Sequence, residues 1–306
     1  MPKKIILAGT TGLIGQYLFR ELKSLGDEIT IFTRNPDQAK SILPGAKEYI
    51  QFDLSKPENW GSNINGKDVI INLSGATIGG RRWSEKNKKE IIESRIGTTK
   101  VLVNGIGKAE KKPETFICPS AIGYYGTSET EIFTEESPNG NDFLSGVCKQ
   151  WEDESAKVEN YGVRRVSLRT GIVLEKNKGA LAKMLIPYKF FIGGPLGTGI
   201  QWLSWIHVSD LIDIYLLCIN DNRLCGAVNA TAPNPVRMKE FASTIGKVLN
   251  RPSIFRVPEF ILKFIFGESA ETVTRGQKVL PDKILNASYN FKFPKIEEAL
   301  LNLLRK

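Results

Sequence analysis

Residues 9–15 of this chain read Gly9-Thr10-Thr11-Gly12-Leu13-Ile14-Gly15, directly behind the apolar run Ile5-Ile6-Leu7-Ala8 and ahead of Tyr17-Leu18-Phe19. The order is strand, tight glycine turn, helix start. A helix N-terminus presents unpaired N–H groups and a partial positive charge, and glycines let a pyrophosphate approach that backbone with no Cβ in the way. The spacing is G-x-x-G-x-x-G, with Thr10 where the first glycine of G-x-G-x-x-G would fall. The strand before the turn and the amphipathic helix after it carry the dinucleotide reading.

The rhythm continues through the first half. Apolar runs predict strands at 4–8, 28–33, 48–52, 68–73, 115–119 and 164–169, and helices at 13–25, 83–107 and 142–160. Such alternation specifies an α/β fold, a doubly wound parallel sheet of the Rossmann type covered on both faces. Irregular loops are expected after strands two and three. Beyond residue 170 glycines and prolines cluster, as in Gly193-Gly194-Pro195, with helices expected at 208–219, 238–250, 258–266 and 296–304. The expected division is a dinucleotide-binding domain at 1–170 and a smaller α+β lobe at 171–306, partly interleaved with it.

A hydrophobic content of 41% supports a large core. The N-terminus runs straight into strand one with no visible signal peptide, and the apolar stretches 214–218 and 260–262 fall short of the ~20 residues of a membrane helix. Cys118, Cys148, Cys218 and Cys225 are scattered, and His207 is the sole histidine, which argues against a metal site and for a reducing, cytoplasmic setting. A net charge of +9 invites nucleic acid, but Glu85, Glu90 and Glu93 break up the most basic pieces, Arg81-Arg82 and residues 86–89. A solvated helix face with a bias toward phosphorylated ligands explains the charge better. The expected partner is a small-molecule substrate rather than nucleic acid or a membrane, with a homodimer left open.

The end of strand two selects the dinucleotide. An acid about 20 residues beyond the glycines binds ribose hydroxyls and favours NAD. Here Arg34-Asn35 stands there instead, Arg34 lying nineteen residues after Gly15. An arginine pairs bidentately with a 2′-phosphate that a carboxylate would repel, so NADP(H) is expected; a merely solvated arginine is the alternative. Asp53-Leu54 after strand three is a candidate for the adenine amino group. Leu73-Ser74-Gly75-Ala76 after strand four offers small residues for close backbone packing on the ribose and pyrophosphate. Arg82 and Arg95 are candidates for phosphate contacts, with solvated helix charges as the alternative.

Together these residues resemble the extended short-chain dehydrogenase/reductase superfamily. The likeness extends to Arg81-Arg82-Trp83, Ser94-Arg95-Ile96-Gly97, Ser120-Ala121-Ile122-Gly123-Tyr124-Tyr125-Gly126, Arg169-Thr170-Gly171 and Trp202-Leu203-Ser204-Trp205, and to the tail from Val257. The whole chain is similar to an atypical subgroup, the epimerase family proteins related to nucleoside-diphosphate-sugar epimerases, which carry a C-terminal domain of unknown function. That resemblance implies a Rossmann fold, NADP(H) and a poorly defined substrate.

The superfamily's chemistry uses a Tyr-x-x-x-Lys pair on one helix face with a serine nearby, so that the tyrosine exchanges protons near neutral pH. This chain departs from it. Registering on Glu152 puts Leu144 at the tyrosine position and Cys148 at the lysine position, with Lys149 one residue off. Counting back from Tyr125-Gly126 puts Ala121 at the serine position, with Ser120 one residue early. Ser120, Tyr124 and Tyr125 remain the candidate catalytic residues, against a packing role for the two tyrosines. Cys148 reads as a buried helix cysteine before a reactive thiol, and His207 as a structural histidine before a catalytic one. Two functions follow: an NADP(H)-dependent oxidoreductase or epimerase with a rearranged acid/base group, or a non-catalytic NADP(H)-binding sensor or partner-binding protein.

Overall fold

The computed structural model describes residues 2–79 and 82–305, so Arg81 of the basic pair lies outside the described residues. The strands are β1 (Lys4–Ala8), β2 (Glu28–Thr33), β3 (Glu48–Gln51), β4 (Val69–Asn72), β5 (Thr115–Ala121), a short β6 (Ile132–Phe133) and β7 (Arg164–Thr170). All but β6 enter one seven-stranded sheet, completed by a strand at Gly226–Ala230 that the sequence pattern did not reveal. Its order is Gly226–Ala230, β7, β5, β4, β1, β2, β3, every pairing parallel. The order reverses at β1. The crevice beyond the carboxyl ends of β1 and β4 is therefore the switch point where open sheets bind ligands.

β1 divides its apolar run between the two faces, as strand geometry demands. Ile5 and Leu7 join a core with Leu18, Phe19 and Leu22 of α1 (Leu13–Ser24) and with Leu211 and Ile214 of the helix Val208–Asn220. Ile6 and Ala8 face the opposite core, with Phe116, Trp60, Leu102 and Trp151. Leu18, Phe19 and Leu22 recur at helical spacing and are buried, each contributing about 1.5–3 kcal/mol. A third core beyond residue 170 gathers Leu174, Trp205, Phe241 and Leu300.

Two local expectations are corrected. The connection after β2 is not irregular: α2 (Pro36–Ile42) forms there, with Pro36 in its first turn and the Asn35 side chain accepting from the Gln38 N–H at 3.0 Å. The helix expected over 83–107 is α3 (Glu85–Ile92), a π-helical turn (Glu93–Gly97) and α4 (Thr98–Lys108). α5 spans Phe143–Ala156. Among the described residues no helix is long and apolar enough to cross a membrane, and all four cysteines are free.

Candidate functional site

A cavity of about 630 Å³ opens at the switch point, within the range typical of small-molecule sites. Gly9 and Gly12 to Gly15 line it after β1, Leu73 to Gly75 after β4, Ser120 and Ala121 at the end of β5, and Thr170 at the end of β7. One end of this cavity is made of backbone, the other of side chains.

At the backbone end, Gly9 turns the chain with φ +75°, and a Cβ there would lie 2.6 Å from the Ser74 nitrogen. Gly15 lets α1 pack on the turn, since its Cβ would sit 2.4 Å from the Thr10 carbonyl oxygen. The Thr10 hydroxyl donates to the Leu7 carbonyl at 3.1 Å, and exposed Thr11 offers its carbonyl to Gln16. α1 starts at Gly12 with no side-chain cap and no acid in its first turn, whereas α2, α3 and α5 are capped by Asn35, Ser84 and Asp142. An uncapped helix start bordering a cavity is an anion site, and these residues fit a dinucleotide pyrophosphate.

Some expected contacts surround this turn and others do not. Arg95 borders the cavity, although it is buried. It donates to the carbonyls of Ile91 (3.2 Å) and Ala76 (2.9 Å), and its guanidinium lies 5.3 Å from the Trp151 ring. Arg34 is exposed just beyond β2, the strand beside β1, with no hydrogen bond or ion pair among the described residues. Asn35 spends its side chain capping α2. The Asp53 carboxylate accepts from the Ser55 hydroxyl and N–H at 2.7 and 2.9 Å, which holds it below the usual carboxylate range. Leu54 borders a separate depression beside Trp60. Arg82 lies outside the cavity lining and clips the helix Glu259–Phe266 through the carbonyls of Phe264 and Ile265. The Ala76 N–H donates to Ser94, outside the lining.

At the side-chain end, α5 presents Phe143, Leu144, Val147, Cys148 and Trp151 to the cavity, the spacing of one helix face. Leu144 and Cys148 thus hold the places where the tyrosine and lysine were expected. Burial pushes the Cys148 thiol up to about 12, so it stays protonated at neutral pH. Lys149 turns to solvent and pairs with Asp153 at 2.7 Å.

Ser120 borders the cavity and donates its hydroxyl hydrogen to Glu152 Oε1 at 2.6 Å. Arg169, opposite Ser120 in the β5–β7 register, grips both oxygens of Glu152 at 2.8 Å. It also donates to the Tyr125 hydroxyl at 2.9 Å, and that hydroxyl donates onward to Asn229 Oδ1 at 2.7 Å. Tyr125 is buried in a cluster with Ile122 and Phe133, burial pushing its hydroxyl up to about 12. The Tyr124 ring lies 3.5 Å from the Arg169 guanidinium. Neither tyrosine lines the cavity. His207 caps the helix Val208–Asn220 by accepting from the Ser209 N–H at 3.1 Å, away from the cavity. Trp202, expected from the sequence to help shape a substrate pocket, forms a wall with Glu271 and Arg275, which the sequence reading did not assign. The Arg169–Glu152 pair was missed too, although Glu152 fixed the helix register.

Residues 5–229 match the NAD dependent epimerase/dehydratase family, and residues 257–303 match a domain of unknown function (DUF1731). The epimerase family protein YfhF of Bacillus subtilis is 40% identical over 301 residues, covering 98% of this chain and 97% of its own. The chloroplastic SDR39U1 homologue of Arabidopsis thaliana is 40% identical over 303 residues, covering 98% and 86%. Among solved structures, the human epimerase family protein SDR39U1 with NADPH superposes with a TM-score of 0.87 at 31% identity, covering 98% of this chain and 99% of that one. A UDP-galactose 4-epimerase, at 17% identity and a TM-score of 0.75, shares the fold.

Proposed function

The chain belongs to the NAD dependent epimerase/dehydratase family, and from that premise we propose that it binds NADP(H) and works as an oxidoreductase or epimerase. Its substrate would be a small carbonyl compound or a nucleotide-sugar-like molecule. The observation that carries this reading is one cavity bordered by both the uncapped start of α1 and the Ser120 hydroxyl. In it the residues from Gly9 to Gly15 hold the pyrophosphate, and Leu73 to Gly75 pack against the adenine ribose. Arg34, with its guanidinium unengaged, takes the 2′-phosphate, and Arg95 faces the phosphates. The NADPH of the human relative supports the same choice.

NADP(H) supplies or accepts hydride when bound. The protein's own part is the proton. As a substrate hydroxyl becomes a carbonyl, its proton passes to Ser120 Oγ while the serine proton passes to Glu152 Oε1; reduction runs the transfer backwards. Arg169 positions Glu152 for this exchange. Residues 1–170, completed by the strand Gly226–Ala230, then form the cofactor-binding part, and the interleaved remainder of 171–306 the substrate side. The free thiols support a reducing compartment such as the cytoplasm.

The test is NADPH or NADP⁺ turnover across a carbonyl and nucleotide-sugar panel, followed by Ser120→Ala. The variant should lower kcat about 100-fold with NADPH affinity unchanged. Undiminished activity would remove Ser120 from the chemistry. Binding without turnover on any panel member would favour the sensor reading, which rests on Leu144 and Cys148 standing in the tyrosine and lysine places.

A further inference from the structure

Most of the exposed large apolar side chains fall in two stretches of the chain. Phe190, Phe191 and Ile192 form one group, and Ile254, Phe260 and Phe264 mark a second; Phe190, Ile254 and Phe264 are 70%, 77% and 78% exposed. The two stretches run side by side. Gly193 bridges Ser253, the Phe255 N–H donates to the Gly193 carbonyl at 3.1 Å, and the Arg251 guanidinium lies 4.0 Å from the Phe191 ring. Leu196 bridges Val257, and the chain then enters the helix Glu259–Phe266, where Leu262 is the sole buried side chain. So many exposed large apolar side chains on two adjoining stretches mark an interaction surface.

The charges around it select the partner. Residues 183–192 and 251–266 carry Lys183, Lys189, Arg251, Arg256 and Lys263 against one acid, Glu259; its pairing with Lys263 at 2.8 Å leaves the other four cations in excess. A second copy docking about a twofold axis would bring this patch onto itself, cation against cation. An acidic lipid surface meets both features: phenylalanines enter the boundary between headgroups and acyl chains while the cations meet anionic headgroups. We propose that the face built by residues 186–192 and 254–265 docks on an anionic phospholipid bilayer. The contact is peripheral, because an eight-residue helix cannot span the hydrocarbon.

Flotation of the full chain with phosphatidylcholine vesicles, with and without about one-third phosphatidylglycerol, tests it. The chain should float with the acidic vesicles, at least tenfold less with neutral ones, and progressively less as salt rises past about 0.15 M. Phe190→Ser with Phe260→Ser should weaken acidic-vesicle binding about tenfold or more. Lys189→Glu with Lys263→Glu should weaken it about fivefold or more per reversed charge. Unchanged circular dichroism and melting would show that both variants fold. Equal binding to neutral vesicles, or full binding by the serine variant, would overturn the proposal. So would failure to float, whether the chain is then a monomer or a dimer that the serine variant dissociates.

Discussion

The two ends of the cavity are built from different materials. After β1 the wall is main chain: the turn of Gly9, the close packing of Gly15 on Thr10, and the bare N–H groups of α1. After β5 it is side chain: Ser120 stands at the wall, and behind it Glu152, Arg169 and Tyr125 are linked in turn, all buried. A backbone site depends on residues within one short segment and fails by steric intrusion. A side-chain site depends on residues far apart in sequence and fails when one partner leaves a charge stranded.

Arg169→Ala should produce the largest effect. It strands the Glu152 carboxylate in a buried site, so urea unfolding should report a loss of about 3–5 kcal/mol. A loss below about 1 kcal/mol would show that water reaches Glu152 and that the two ends differ less than the geometry says. Gly15→Ala should cost about 1–3 kcal/mol, because its Cβ meets main-chain atoms that cannot swing away. Unlike Arg169→Ala, it should also abolish measurable NADPH binding while the fold persists.

Arg34→Ala tests the exposed rim of the backbone end. NADPH affinity should fall about tenfold, the scale of one charge-assisted contact, while NADH binding barely changes. Equal losses for both would remove Arg34 from cofactor choice. The smallest expected change is chemical. Burial pushes Cys118, Cys148 and Cys218 each up to about 12, so the thiol form persists well above neutral pH. A disulfide reagent at pH 8 should therefore modify exposed Cys225 alone in the native chain and all four cysteines in denaturant. Native-state modification of Cys148 would mean that the side-chain end opens to solvent.

Much of this fold is legible because its signals are local. β1, β2 and α1 follow from apolar periodicity within a few residues. The start of α2 carries a local signal too, Asn35-Pro36 ahead of Gln38, although an irregular loop was expected there. The strand Gly226–Ala230 was not, because Gly226 and Asn229 interrupt its apolar pattern and its place is set by pairing with β7. The surroundings of the tyrosines were not legible for a related reason. Proximity to β5 brought both near the expected chemistry, but Tyr125 is held by Asn229, distant in the chain. Run lengths also concealed the apolar surface, since 260–262 is short and its exposure depends on what packs beneath it.

By itself, then, the sequence determined the parallel sheet, the glycine turn at its switch point and the absence of a Tyr-x-x-x-Lys pair, all properties of neighbouring residues. Only the tertiary structure decided which groups stand at and behind the cavity wall there. Ser120, Glu152 and Arg169 come from β5, α5 and β7, and burial of their charges fixes them against one another in a way no local pattern encodes.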